Sequence, residues 1–322
     1  MLHTPLCDLL TLTHPIISAP MGGAATAELA AAVSAAGGLG MIGGSGPSPA
    51  WLRTQIRAVR ERTDRPFGVG FISSAPGVEE LVRIAIEERV AAISHSFADP
   101  TPYVAPAHAA GITVLAQVQT VAQARVAAQA GVDVIAAQGT DAGGHTGAIG
   151  TLSLLPAVLD AVAPLPVVAA GGIGDGRGLA AMLLLGAVGA WIGTRFVASE
   201  EARGAAWLKQ RVVAATADET VLTRVYDLAT EAPFPAEIGQ RVLVNAFTQA
   251  WHGREDEVVT RRAELRGAIE RASAVGDTGV APVSAGGAAG VIAAVEPAGE
   301  IVRRIVAEAE RVLRERPQQV LR

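Results

Sequence analysis

The sequence predicts an α/β fold, a (β/α)8 TIM barrel with a C-terminal helical addition capping the barrel mouth, and three observations predict it. From residue 15 onward, short β-branched apolar runs alternate eight times with longer Ala-rich amphipathic stretches. Half of the residues are apolar and only 4% are aromatic, so small side chains build the core and let helices pack closely on a buried parallel sheet. A length of 322 residues suits one barrel with an appendage.

In chain order the strands are expected at 15–21, 38–43, 67–72, 91–97, 112–118, 132–138, 167–171 and 190–197. Helical patterns fall between them, at 27–36, 50–61, 78–88, 121–130, 153–163 and 178–185. Right-handed crossovers place these helices outside the strands. An open doubly wound sheet is the alternative, but it more often has fewer strands.

Beyond Ser199 the alternation stops. Residues 200–275 carry more charge, with Pro233 and Pro235 as breakers, and read as a helical lid. Residues 276–290 are rich in Gly and Ala and read as a loop, and 297–316 as a closing amphipathic helix ending at Pro317. The expected organisation is therefore a cofactor-binding barrel over 1–199, a lid over 200–275, and a loop and closing helix over 276–322.

Composition removes several function classes. A formal charge of −5 leaves no basic excess to neutralise phosphates, so nucleic acid is not an expected partner. The single Cys7 rules out an intrachain disulfide and any multi-cysteine metal site, which fits a reducing compartment, and a cytoplasmic location is the default. The first residues lack a basic region and a small-residue cleavage site, so no secretory signal is read. The longest uncharged run, between Arg177 and Arg195, is divided by Gly186 and Gly189 into pieces suited to a buried core, so no membrane span is expected. The sequence leaves a homo-oligomer open.

In barrels the reactive residues lie at the C-terminal strand ends and in the loops that follow. The first strand ends in Pro20-Met21-Gly22-Gly23, where absent side chains let a planar ligand approach the backbone. The sixth ends in Gln138-Gly139-Thr140-Asp141-Ala142-Gly143-Gly144-His145, with glycines around one imidazole. The seventh ends in Gly171-Gly172-Ile173-Gly174-Asp175, and the eighth contains Gly193-Thr194-Arg195. Backbone N–H groups at these last two ends form the usual barrel phosphate site, so a phosphate-bearing cofactor is expected. The match Gly38-Leu39-Gly40-Met41-Ile42-Gly43 to a dinucleotide fingerprint is set aside, because it follows a helix and lies inside a strand. Gly37, Gly38 and Gly40 read as packing glycines. His95 sits near the end of the fourth strand as a possible pocket residue, and Asp141 either orients His145 or caps its loop.

Together, HPIISAPMGG, AAGGLGMIGG, RPFGVGF, AQGTDAGGHTG, PVVAAGGIGDGRG, WIGTRFVAS and FTQAWHGRE resemble the nitronate monooxygenase family, also called 2-nitropropane dioxygenases, along nearly the whole chain. The resemblance implies FMN held without a covalent bond at the barrel mouth, and O2 as the final electron acceptor in oxidising an alkyl nitronate to a carbonyl compound and nitrite. It places Met21 and Gly22 against the flavin ring, Gln138 on ring or ribityl polar atoms, and Gly143 along the same cavity. Gly171, Gly172, Gly193 and Thr194 would hold the phosphate, and His145 matches the catalytic histidine, as base or as charge stabiliser. Two departures stand out: Gly70 replaces a flavin-contacting Asn, a contact that Gln117 or water would have to supply, and Gly287 replaces a Glu or Gln.

Rival functions share parts of this pattern. An FMN-dependent enoyl-acyl-carrier-protein reductase using NADH has the same Gly-Gly-His loop, and a non-catalytic flavin-binding paralogue is the reading from another class. A dehydrogenase of the inosine-monophosphate type is disfavoured, because its nucleophile is a loop cysteine and Cys7 precedes the first strand.

Overall fold

The computed structural model describes residues 2–46 and 48–321. The strands in chain order are β1 Ile16–Ser18, β2 Gly40–Gly43, β3 Phe67–Ile72, β4 Ala92–Ser96, β5 Thr113–Val118, β6 Val134–Gln138, β7 Gly144–Thr146, β8 Val167–Ala170, β9 Ala190–Ile192, β10 Thr220–Thr223 and β11 Gly239–Leu243. Eight of them form one parallel sheet in the order β1-β9-β8-β6-β5-β4-β3-β2, and a parallel bridge from Ile17 to Leu39 joins its two edges. The sheet is thereby a closed barrel, as the alternation predicts.

The barrel helices are α1 Pro5–Leu10, α2 Ala27–Ala35, α3 Pro49–Arg60, α4 Val78–Glu87, α5 Thr101–Ala109, α6 Val121–Ala130, α7 Thr151–Val162, α8 Gly176–Leu184 and α9 Thr194–Val197. Those beyond are α10 Ala206–Val213, α11 Val225–Thr230, α12 Ala246–Trp251, α13 Glu255–Thr260, α14 Arg262–Val275 and α15 Ala298–Val320. Local sequence fixes their ends. In α6, Thr120 and Gln123 form a reciprocal capping box, and Gly131 ends the helix at φ 86°.

Strand periodicity sorts the core into two layers. On β5, Leu115 faces the barrel axis with Met41, Val134, Val168 and Trp191, while Val114 and Val118 face the helices. Leu6 and Leu10 of α1 plug the inner layer from the N-terminal end, leaving the opposite mouth for chemistry. The packing expectation for glycines holds: a Cβ at Gly40 would lie 1.8 Å from the Ala30 carbonyl oxygen.

Three elements differ from the sequence reading. The eighth run is not one strand over 190–197: β9 stops at Ile192, Gly193 turns the chain, and Thr194 opens α9. The addition is not purely helical, because β10 and β11 lie within it and pair antiparallel, with β11 also pairing to β7. Finally, α15 continues through Pro317 to Val320. The addition has its own core around Tyr226, Phe247, Trp251, Leu265 and Ile269.

Candidate active site

His145 is carried on β7, which leaves the barrel after β6 and pairs with β11 of the addition, placing His145 opposite Gln240. Its Nε2 lies 2.9 Å from Oδ1 of Asp227 on α11. The side chains are 17% and 6% exposed, so the pair is largely screened from water. An ionised carboxylate only accepts hydrogen bonds, so Asp227 selects the tautomer with the proton on Nε2 and leaves the lone pair on Nδ1. Asp227 Oδ2 is buried and has no partner among the described residues. Phe234 stacks on the imidazole at 3.4 Å between centroids, and Phe97 meets it edge-on at 6.3 Å.

The residues singled out by sequence line one mouth. Gln138 donates from Nε2 to the His145 carbonyl oxygen at 3.1 Å and accepts from Gln119 Nε2 at 2.9 Å. Each end of that amide retains a second donor or acceptor site. A Cβ on Gly143 would lie 2.6 Å from Gly286 N, whose N–H donates to Thr194 Oγ1 at 3.0 Å. Gly193 is next to Met21, whose Sδ would lie 3.7 Å from an added Cβ, and beside Gly22 there is open space.

The glycine pair after β8 fits a cofactor phosphate. Gly171 has φ 103° and Gly172 φ 77°, backbone shapes that L side chains rarely adopt. The N–H groups of Gly172, Gly193 and Thr194 donate to no protein acceptor among the described residues, leaving donors suited to an anion, while the Gly171 N–H continues the β8–β9 ladder toward Trp191. Asp175 does not compete for this role, because its carboxylate already caps α8.

Other candidates resolve differently. Asp141 accepts from Thr151 N at 2.8 Å, so it caps α7, and Asp227 is the carboxylate that meets His145. His95 faces outward from β4: it stacks on Tyr103 at 4.7 Å, bonds Ser73 Oγ at 2.8 Å through Nδ1, and burial pushes its pKa down to about 4. Arg195 donates to the carbonyls of Ala198 and Ala294 at 2.7 and 2.8 Å, tying the 284–296 loop to the barrel.

At the position of the family Asn, a Cβ on Gly70 would lie 2.2 Å from Pro20 Cγ and 2.6 Å from Ser94 Oγ. The Pro20 ring fills the space that side chain would need. Gln117 accepts from Ser96 Oγ at 3.0 Å, and its Nε2 makes no hydrogen bond among the described residues. Gly287 faces open space.

Sequence reasoning missed Asp227, Phe234 and Phe97. A lone carboxylate in the apolar stretch Val225-Tyr226-Asp227-Leu228-Ala229 was the available signal, because a buried charge requires a partner.

Against known proteins, the nitronate monooxygenase family profile matches residues 3–81 and 71–308. The chain belongs to the nitronate monooxygenase family. The membership makes it a flavin-dependent oxidoreductase. A nitronate monooxygenase of Pseudomonas aeruginosa is 38% identical over 263 residues, 67% of this chain and 75% of that protein. A Mycobacterium tuberculosis relative named (3aS,4S,5R,7aS)-5-hydroxy-7a-methyl-1-oxo-octahydro-1H-indene-4-carboxyl-CoA dehydrogenase is 37% identical over 275 residues, 82% of this chain and 78% of that protein. Among solved structures, FabK from Thermotoga maritima superposes with a TM-score of 0.90 at 36% identity, covering 100% of both chains. Nitroalkane oxidase from Streptomyces ansochromogenes gives a TM-score of 0.83 at 29% identity over 98% of this chain and 99% of the other. Among the described residues no helix is long and apolar enough to cross a membrane.

Proposed function

We propose that this protein binds FMN and oxidises alkyl nitronates, with O2 as the electron acceptor, to a carbonyl compound and nitrite. The observation that carries this reading is the His145–Asp227 pair at the mouth, with Nδ1 of His145 left as the only ring nitrogen free to meet a substrate. The neutral ring removes the α-proton of a nitroalkane through Nδ1, and the protonated ring donates from Nδ1 to a nitronate oxygen. Asp227 accepts from Nε2 in both states, so the ring need not turn over between them. Base and charge stabiliser are therefore one group in two protonation states.

In this reading Gly171, Gly172, Gly193 and Thr194 form the backbone cradle for the FMN phosphate, while Met21, Gly22, Gly143 and Gln138 line the flavin ring and ribityl side. When bound, FMN supplies the two-electron redox chemistry that no side chain here can. Phe234 and Phe97 keep water from the imidazole.

A second reading is an enoyl-acyl-carrier-protein reductase using NADH, favoured by the full-length likeness to FabK. Mixing the FMN-loaded protein anaerobically with an alkyl nitronate separates the two. Bleaching of the flavin spectrum without NADH, with recovery in air and nitrite release, supports the first; bleaching by NADH alone supports the second.

A further inference from the structure

A cavity of about 320 Å³ opens beside Phe97, over the end of β5 and along α6. That size lies at the lower end of small-ligand pockets, roughly 300–1,000 Å³. Its wall is mostly apolar: Phe97, Pro100, Val118, Val126, Pro235 and Ile238 contribute. Phe97 also touches the other side of the site, standing 6.3 Å edge-on from His145 and 5.4 Å from Phe234. Its backbone is held at φ 64°, a left-handed conformation that is strained for an aromatic residue and is retained where surrounding structure demands it.

Gln117, Gln119 and Gln123 add polar atoms to the wall. Gln119 is 2% exposed and its Nε2 is used by Gln138, yet its Oε1 is buried without a partner among the described residues. Asp99 and Glu237 at the rim oppose an anionic group.

We propose that this cavity is the binding site for the apolar substituent of the substrate, taking an uncharged aliphatic chain or ring. The proposal rests on His145 as the group that meets the reacting end. The substituent then extends from His145 past Phe97 and away from the flavin site. Specificity is set by the β4–α5 loop, by α6 and by residues 235–238, not by the glycine loops.

The test separates this site from the nitronate reading by using ligands that do not react. Binding of straight-chain alcohols from butanol to octanol to the full-length, FMN-loaded protein is measured by calorimetry, beside Ala122→Trp and Val126→Trp. Both substituted positions are exposed on α6 and line the cavity away from the catalytic pair, so folding is preserved. Wild type is expected to gain about fourfold in affinity per methylene, the value of burying one CH2, and each Trp variant to lose tenfold or more for octanol. Non-saturable binding in wild type, or equal binding in both variants, overturns the proposal. Nitronate turnover is scored separately: turnover without alcohol binding removes the cavity and keeps the function, and alcohol binding without turnover does the reverse.

Discussion

Asp227 and His145 stand 82 residues apart in the chain, yet their side chains meet at 2.9 Å, one from the addition and one from the loop after β6. The pair is thus completed by the addition beyond the barrel. Removing the charge in Asp227→Asn, or the side chain in Asp227→Ala, is expected to release the imidazole tautomer. The kcat/KM for a neutral nitroalkane should fall about 100-fold, in the range of general-base contributions, and far less for a preformed nitronate, which needs no proton removed. The ¹⁵N shifts of His145 provide the second readout: the proton sits on Nε2 in wild type and distributes over both nitrogens in the variants. A wild-type proton on Nδ1 would refute the assignment.

Gly171 tests the proposed phosphate site. At φ 103° it would be strained by any side chain, and a Cβ would lie 2.8 Å from Ala142 N. Strain of about 1–3 kcal/mol is expected, so Gly171→Ala should weaken FMN binding about tenfold or more, read by fluorescence titration of the apoprotein. Undiminished affinity would move the phosphate elsewhere.

Gly70 cannot simply be returned to the family Asn. Overpacking against Pro20, 2.2 Å from the added Cβ, should cost Gly70→Asn about 1–3 kcal/mol. Thermal unfolding of this variant should shift downward by several degrees, and Pro20→Ala in the same chain should recover part of the loss. An unchanged Tm would mean that Pro20 yields freely.

The barrel was legible because its signals are local: strand and helix periods, caps such as Thr120 and Gln123, and glycines at strand ends. The mouth residues Met21, Gly143, Gly171 and Gly193 follow from position alone, since a closed parallel barrel brings all C-terminal strand ends together. Asp227 does not follow from position. It arrives through the pairing of β7 with β11, a non-local contact between short strands that carry no strong pattern. The run 190–197 misled for a local reason: Phe196 and Val197 favour strands, but Gly193 breaks the extension and the next residues close a helical turn.

His95 provides a prediction about stability and pH. Burial lowers its pKa from 6.5 to about 4 in the folded protein, and its ring is 1% exposed. Above pH 6.5 the ring is neutral in both folded and unfolded chains, so it adds no pH dependence. Between pH 6.5 and 4 only the unfolded chain takes up the proton, so stability falls as pH falls. The loss is about 1.4 kcal/mol per pH unit, or about 2 kcal/mol at pH 5, and it levels off below pH 4, where both states are protonated. His95→Phe keeps an aromatic ring against Tyr103 and removes the titration. Urea midpoints measured at pH 8 and pH 5 should converge by about that amount in the variant relative to wild type. An equal drop in both proteins would place the acid sensitivity on other groups and show that the folded protein accepts a charged His95 at little cost.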